Sequence, residues 1–327
     1  MTAVAETSEI IAPVTQLDPI TPIAVKKQRA PKHDFKDGQG RVFAHKHDNG
    51  KGWVADTAKV DDSVYVGPRC SVFNFARVSD RVRLEGRSKI GGHSCVSGNV
   101  VLKKDAHVYG RAIVRDTVQL TDHAVVTGHA IVTGTSQLRG SSTATDRAQV
   151  LHSCLSEHVM VSGDASVVRC NISGSNVQIS GRAIAIHATM HGIIAISGYA
   201  QVLNSTLNSQ MYNHLQLMPI HISDFAVIAD NSQVLIPLEI KNHAIVVRST
   251  FGYSMADPAN NSRHVLNNQM LVFQRRFNVQ ADLQNFIQSF DDRGNSPYTA
   301  VVVTPARGPV PVAAGPRRVM RLQETGA

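Results

Sequence analysis

Histidine, cysteine and acidic side chains are the groups through which this chain could do chemistry, and their spacing limits what that chemistry can be. The 327 residues hold 15 His and 4 Cys. His45, His47 and Asp48 fall together in "HKHDNGKG" (45–52). A zinc site needs three or four convergent ligands, and no second cluster accompanies these, so the segment reads as a polar turn. His187 and His191 in "IHATMHG" supply two ligand types from one short stretch, again without a third. Cys70, Cys95, Cys154 and Cys170 make no CxxC pair and no small-domain disulfide framework. Neither GxxxxGK[ST] nor GxGxxG between a strand and a helix is present, which leaves nucleotide binding without a phosphate cradle. No cofactor and no metal are expected.

The elements that would have to position any site are set by a count of six. From Val54 to Val150 an aliphatic recurs every sixth residue at 17 positions, and Ala144 alone among them is not branched. Sorted by 18, these positions form three columns. One is Val60, Val78, Val96, Val114, Val132 and Val150; a second includes Leu84, Leu102, Leu120 and Leu138; the third holds Val72, Ile90, Val108 and Val126. A beat of six matches neither a helix nor simple hairpins. It predicts short strand, corner, short strand, corner, with one triangular coil per 18 residues and each column facing inward. Gly, Asp and Asn two residues after the aliphatics suit corners that need left-handed backbone angles. Beyond Val150 the phase slips by a residue at several steps. A break at 208–219 is too long for a corner, and the beat then returns at Ile222, Ile228, Val234, Ile240 and Val246. About ten coils would make a prism roughly 50 Å long.

Runs such as "HAVVTGHAIVTG" (123–134) resemble the hexapeptide-repeat superfamily of left-handed parallel β-helices, and the resemblance extends over Val54–Val247. Glycine stands two residues after the aliphatic, as at Gly110, Gly128 and Gly134, which is closer to the degenerate repeat proteins of bacterial and phage genomes than to the acyltransferases. The resemblance implies the left hand of the coil and a three-fold assembly of parallel prisms. It also implies what an enzyme of this kind would use. An acyltransferase would employ a His general base in a loop leaving the coil, and His214 in the 208–219 segment is the residue that fits. A zinc hydratase of the γ-carbonic-anhydrase type would stack His ligands from adjacent coils, yet no two His here lie 17 to 19 residues apart.

Surface chemistry points toward association. No Asp, Glu, Lys or Arg occurs over the 41 positions between Arg182 and Asp224, and Ile184 and Ile193 fall at outward positions there, so they are candidate interface residues. A corner column of His93, Arg111, His129 and Arg147 could form a basic stripe. The formal charge of +8 divides as +2 for residues 1–52, +2 for 53–246 and +4 for 247–327, too dilute to predict nucleic-acid binding. The N-terminus lacks a signal-peptide pattern and no run reaches membrane-spanning length, so cytoplasmic synthesis is expected.

The expected architecture is therefore all-β, a single-stranded left-handed parallel β-helix with an extended N-terminal arm and a small C-terminal cap. Residues 1–52 form the arm and cap, 53–247 the solenoid, 248–304 a C-terminal cap with a short helix near 282–290, and 305–327 a proline-rich basic tail. Leu283, Phe286, Ile287 and Phe290 give that helix its apolar stripe. The expected function is structural: a rigid prism, homo-oligomeric with a trimer favoured. It would be joined to other subunits through its arms, as in a phage virion decoration or tail component.

Overall fold

A computed structural model describes residues 31–209, 219–252, 264–266, 270–273, 275–277 and 280–291. The six-residue beat becomes a parallel β-solenoid with three faces. On the first face, a 12-stranded parallel sheet runs from Lys59–Val60 to Leu271–Phe273 among the described residues. Its inward column opens on Val60, Val78 and Val96, and Val96 lies in register between Val78 and Val114. The second face stacks Leu84, Leu102, Leu120 and Leu138. The third stacks Val72, Ile90, Val108, Val126 and Ala144. All of these side chains are buried except Val60, which is only partly covered at the N-terminal end. The second and third faces join into one sheet because the strands Cys154–Val161 and Asn171–Ile179 run around the corner between them.

Corners work by two linked devices. Asp80, Asp116, Asp122 and Asp146 adopt φ of 58–71°, the left-handed region. Their carboxylates also accept a hydrogen bond from the corner amide of the next coil. Asp80 Oδ2 accepts from Gly98 N (2.8 Å) and Asp116 Oδ2 from Gly134 N (2.9 Å). A corner amide that would otherwise lack a protein partner is thereby satisfied. Gly98 is obligatory for a separate reason. At φ 89° a Cβ there would come 2.6 Å from the carbonyl oxygen of Asp116.

The phase slips after Val150 have a common geometry. At the corner between first and second faces the step shortens from six residues to five, as in Val150 to Leu155, Val167 to Ile172 and Val202 to Leu207. One left-handed residue then makes the turn: His152, Arg169, His187, Asn204 and Arg248 all have φ near 50°. Behind each turn sits a small buried residue. Ser153 N donates to Ser136 Oγ (3.2 Å), and Cys170 N donates to Ser153 Oγ (3.1 Å), so hydroxyls supply acceptors inside the shortened coils.

Both long insertions occur at the corner between second and third faces. The chain leaves after Leu207 and is back in register at Ile222, which pairs with Ile196. It leaves again after Phe251 and returns at Leu266, opposite Ile240. Parallel pairing therefore runs on past Val247, ending at Phe273 on the first face and at Phe277 on the second.

Each end is closed differently. Within the segment expected as arm, β1 (Lys32–Asp34) and β2 (Arg41–Lys46) form an antiparallel hairpin, and β2 pairs antiparallel with β3 (Trp53–Ala55), covering the first edge of the third face. Phe35, Ala44, Ala55 and Phe73 make a small second core beneath it. Phe73 lies across the Cβ-free surface of Gly91, which brings its ring to 6.0 Å from that of Tyr109. At the other end, α1 (Gln280–Asp291) buries Leu283 and Phe286, with Ile287 partly buried. Phe251, Phe277 and Phe286 form a chain of rings that plugs the solenoid (centroids 5.0 and 5.4 Å apart). The side chain of Phe290, residues 292–304 of the expected cap, the arm residues 1–30 and the 305–327 tail lie outside the described residues.

Candidate association face

The groups that could do chemistry are dispersed, and those singled out by the sequence are held by local partners. His45 Nδ1 meets Asp56 Oδ1 at 2.8 Å, while buried His47 meets the Asn49 carbonyl at 3.2 Å, and Asp48 pairs with Lys51. His187 contacts Asn204 Oδ1 at 3.0 Å on a corner; His191 contacts Ser173 Oγ at 2.6 Å on the second face. Among the described residues no three His, Cys, Asp or Glu side chains are grouped to hold a metal. Burial pushes the Cys170 thiol up to about 11 and raises Cys70 as well, so both are held as thiols. Cys95 alone among the four is exposed. His214 lies outside the described residues.

The corner column that begins with His93, Arg111, His129 and Arg147 does not stay basic. Asp164 follows Arg147 and receives two hydrogen bonds from it, at 2.6 and 2.8 Å, with Arg182 3.7 Å away on the other side. Hydrogen bonding to Arg147 holds the Asp164 carboxyl below the usual carboxylate range. Beyond Arg182 the column turns aromatic. Tyr199 stacks on Phe225 and Phe225 on His243, each pair 5.0 Å apart and within 9° of parallel. The stripe is an edge of stacked planar groups whose ring faces are occupied by one another.

A polar groove of about 620 Å³ opens at the corner between first and second faces. It forms where the six-residue corner at Asp230–Asn231 lies beside the five-residue corners at Asn204 and Arg248. Its charges are matched internally, with Arg248 3.7 Å from Asp230.

The two interface candidates separate. Ile184 stands on the first face, paired with Ser166 and Gln201, whereas Ile193 stands on the third, opposite Asn176. They do not share a patch. Ile184 adjoins an apolar surface made mainly by other positions. On the first face the strands lengthen over these coils from two residues to three, most of them beside shortened corners, so the residue after each inward aliphatic also points outward. Leu151, Val168, Ile186 and Leu203 align directly, and so do Ala229, Val247 and Phe273. From Gln149–Leu151 to Leu271–Phe273 no outward position of this face is charged. Ile245 on it is 38% exposed, and at the adjoining edge Tyr199 and Phe225 are 47% and 50% exposed. Outward residues of the second face over the same coils are polar: Thr189, Thr206, Gln233 and Thr250. The N-terminal half of the first face is mixed and cationic, with Lys59, Arg77, Cys95 and Arg115 directed outward beside Ile113 and Ile131. The signal is present in the sequence as doublets: Val150-Leu151, Val167-Val168, Ala185-Ile186, Val202-Leu203, Val246-Val247 and Val272-Phe273.

Neither protein-family models nor curated proteins give a match to this chain.

Proposed function

We propose that this protein is a non-enzymatic structural component of the hexapeptide-repeat β-helix kind. It is a rigid prism that joins copies of itself along the apolar half of its first face and is fixed to a larger particle, such as a phage virion, by the segments flanking the solenoid. One observation carries the reading: two aligned runs of uncharged apolar side chains follow one another along the C-terminal half of the first face, while the second face over the same coils is polar. Scattered apolar side chains are ordinary on a protein surface; an aligned column of this length is not. Among the described residues the His and Asp side chains are dispersed and form no convergent constellation for acid–base or metal chemistry, which supports a structural role over acyl transfer.

The test is sedimentation of the full chain over a concentration series. Wild type is expected to self-associate, and Ile186→Lys is expected to remain monomeric with an unchanged melting temperature. A strictly monomeric wild type would refute the self-association. Acyl-CoA turnover abolished by His214→Ala would refute the non-enzymatic reading. Deletion of residues 1–30 is expected to leave the solenoid's far-UV spectrum intact while ending incorporation into the particle.

A further inference from the structure

Resting on that reading, we infer that the partner on the first face is a second copy lying antiparallel, about a two-fold axis that runs along the strand Gln201–Leu203. Two features of the face lead there, its charge and its symmetry of size. Its N-terminal half carries Lys59, Arg77 and Arg115 outward, with Asp61 as its acidic residue, while its C-terminal half carries no charge. In a two-fold pair whose prism axes run parallel and whose first faces meet, each coil meets its own equivalent. Arg77 would then approach Arg77 and Lys59 approach Lys59, and like charges across an interface oppose binding. An antiparallel pair centred on the apolar half removes this conflict, because the cationic halves project past opposite ends of the partner.

The C-terminal half is also self-complementary about that centre. Three strands lie on either side of Gln201–Leu203 in the apolar region. The axis sets Leu203 against its own copy, Ile186 against Ala229, Val168 against Val247 and Leu151 against Phe273. Every one of these contacts is apolar, and the same patch serves both copies, as an isologous contact requires. Gln201 meets Gln201, and two amides can satisfy each other. The contact plane is about 34 Å by about 10 Å, on the order of 350 Å² per copy before the Tyr199–Phe225 edge is added. That is less than half of the roughly 800 Å² per partner of a standard interface, so a weak dimer that dissociates well above about micromolar concentration is expected.

Cys95 offers a direct measurement. It is exposed on the first face, six strand spacings from the proposed axis. In the full chain carrying Cys154→Ser, spin labels on Cys95 should lie about 58 Å apart in the dimer, from twelve spacings of about 4.8 Å. Leu203→Lys places two ammonium groups at the axis and should weaken association more than about tenfold, whereas Arg77→Glu, outside the contact, should change it less than about twofold. Association with a label distance under about 25 Å means parallel copies, including the three-fold arrangement, and would overturn the antiparallel inference while leaving the apolar seam in place. An Arg77→Glu effect above about tenfold would do the same. No association at concentrations up to about 1 mM would overturn both this inference and the self-association it rests on.

Discussion

Val96→Asp tests the inward column at its most regular point. Val96 is fully buried, with Val78 on one strand and Val114 on the other in direct register. Removing a buried valine forfeits about 1.5–3 kcal/mol of burial. The carboxyl that replaces it has only aliphatic neighbours along the column, and an unpaired buried polar group adds about 1–3 kcal/mol even when neutral. To stay neutral at pH 7 it must hold its proton well above the ordinary Asp value, and each tenfold gain in proton affinity corresponds to about 1.4 kcal/mol. Neutrality at pH 7 lies about three such steps above the ordinary value and adds about 4 kcal/mol, so a total of about 7–10 kcal/mol is expected near neutrality, comparable to the entire stability of many domains. The sign with pH follows from linkage. A folded-state pKa raised above the unfolded value means that stability is lost as pH rises from about 4 toward the folded pKa. The deficit of Val96→Asp should thus be smaller at pH 4 than at pH 7. Its control is Cys95→Asp, one residue earlier and facing outward, where about 0.5 kcal/mol or less is expected. Thermal melts followed by circular dichroism give the magnitude, and amide exchange at residues 78–114 gives the location, since a solenoid loosens coil by coil. Equal melting of Val96→Asp and wild type, or equal losses for the two variants, would refute the register.

Three further perturbations probe other levels of the fold. Gly98→Ala drives a Cβ to 2.6 Å from the Asp116 carbonyl oxygen at φ 89°, and should cost more than about 2 kcal/mol. Gly38→Ala, at a similar φ of 88° but with nothing within 4 Å, should cost only the left-handed penalty of about 1–2 kcal/mol; equal melting temperatures for the two would contradict the coil-to-coil contact. His107 is held below the ordinary His value, first by desolvation and then by Lys89, and its Nδ1 is buried without a hydrogen-bond partner among the described residues. A depressed folded pKa means the unfolded chain binds the proton more readily, so stability should fall as pH drops below about 6.5, and His107→Phe should flatten the dependence of Tm on pH over that range. Phe286→Ala removes the ring that closes the C-terminal plug and should cost about 3 kcal/mol, with exchange protection lost first around Phe251 and Phe277.

The inward columns are legible because one physical requirement, burial of an aliphatic against the same residue type in the next coil, repeats without interruption from Val54 to Val150. Corner identity is legible for the same reason: only a few residue types accept the left-handed angle of Asp80 or Gly98. The continuation past Val247 is hidden because the insertion after Phe251 sets Leu266 26 positions beyond its partner Ile240, so no fixed period connects them. The association face is hidden by a different effect. Counting alternation along a strand places Ile184 outward, which holds on the first face. Ile193 begins the next strand, Ile193–Ile196, just past the corner at Gly192, and so belongs to the third face. The decisive apolar column depends on corners losing one residue, a change that alters which side chains remain in the strand. The basic corner column holds over four coils and then meets Asp164, whose pairing with Arg147 is a contact between coils 17 residues apart.

Leu207 and Phe251, the two points where the chain departs from its winding, sit on one edge of the prism with Val234 between them. At about 4.8 Å per coil these exits are only about 10 Å apart. Everything the chain sends outward there returns to the same ladder, so this edge absorbs length without disturbing the packed interior. A foreign peptide spliced at either exit would be carried beside one spliced at the other, at a separation fixed by backbone hydrogen bonds. The protein thus has a ready-made site for mounting paired cargo, on the edge opposite its apolar face.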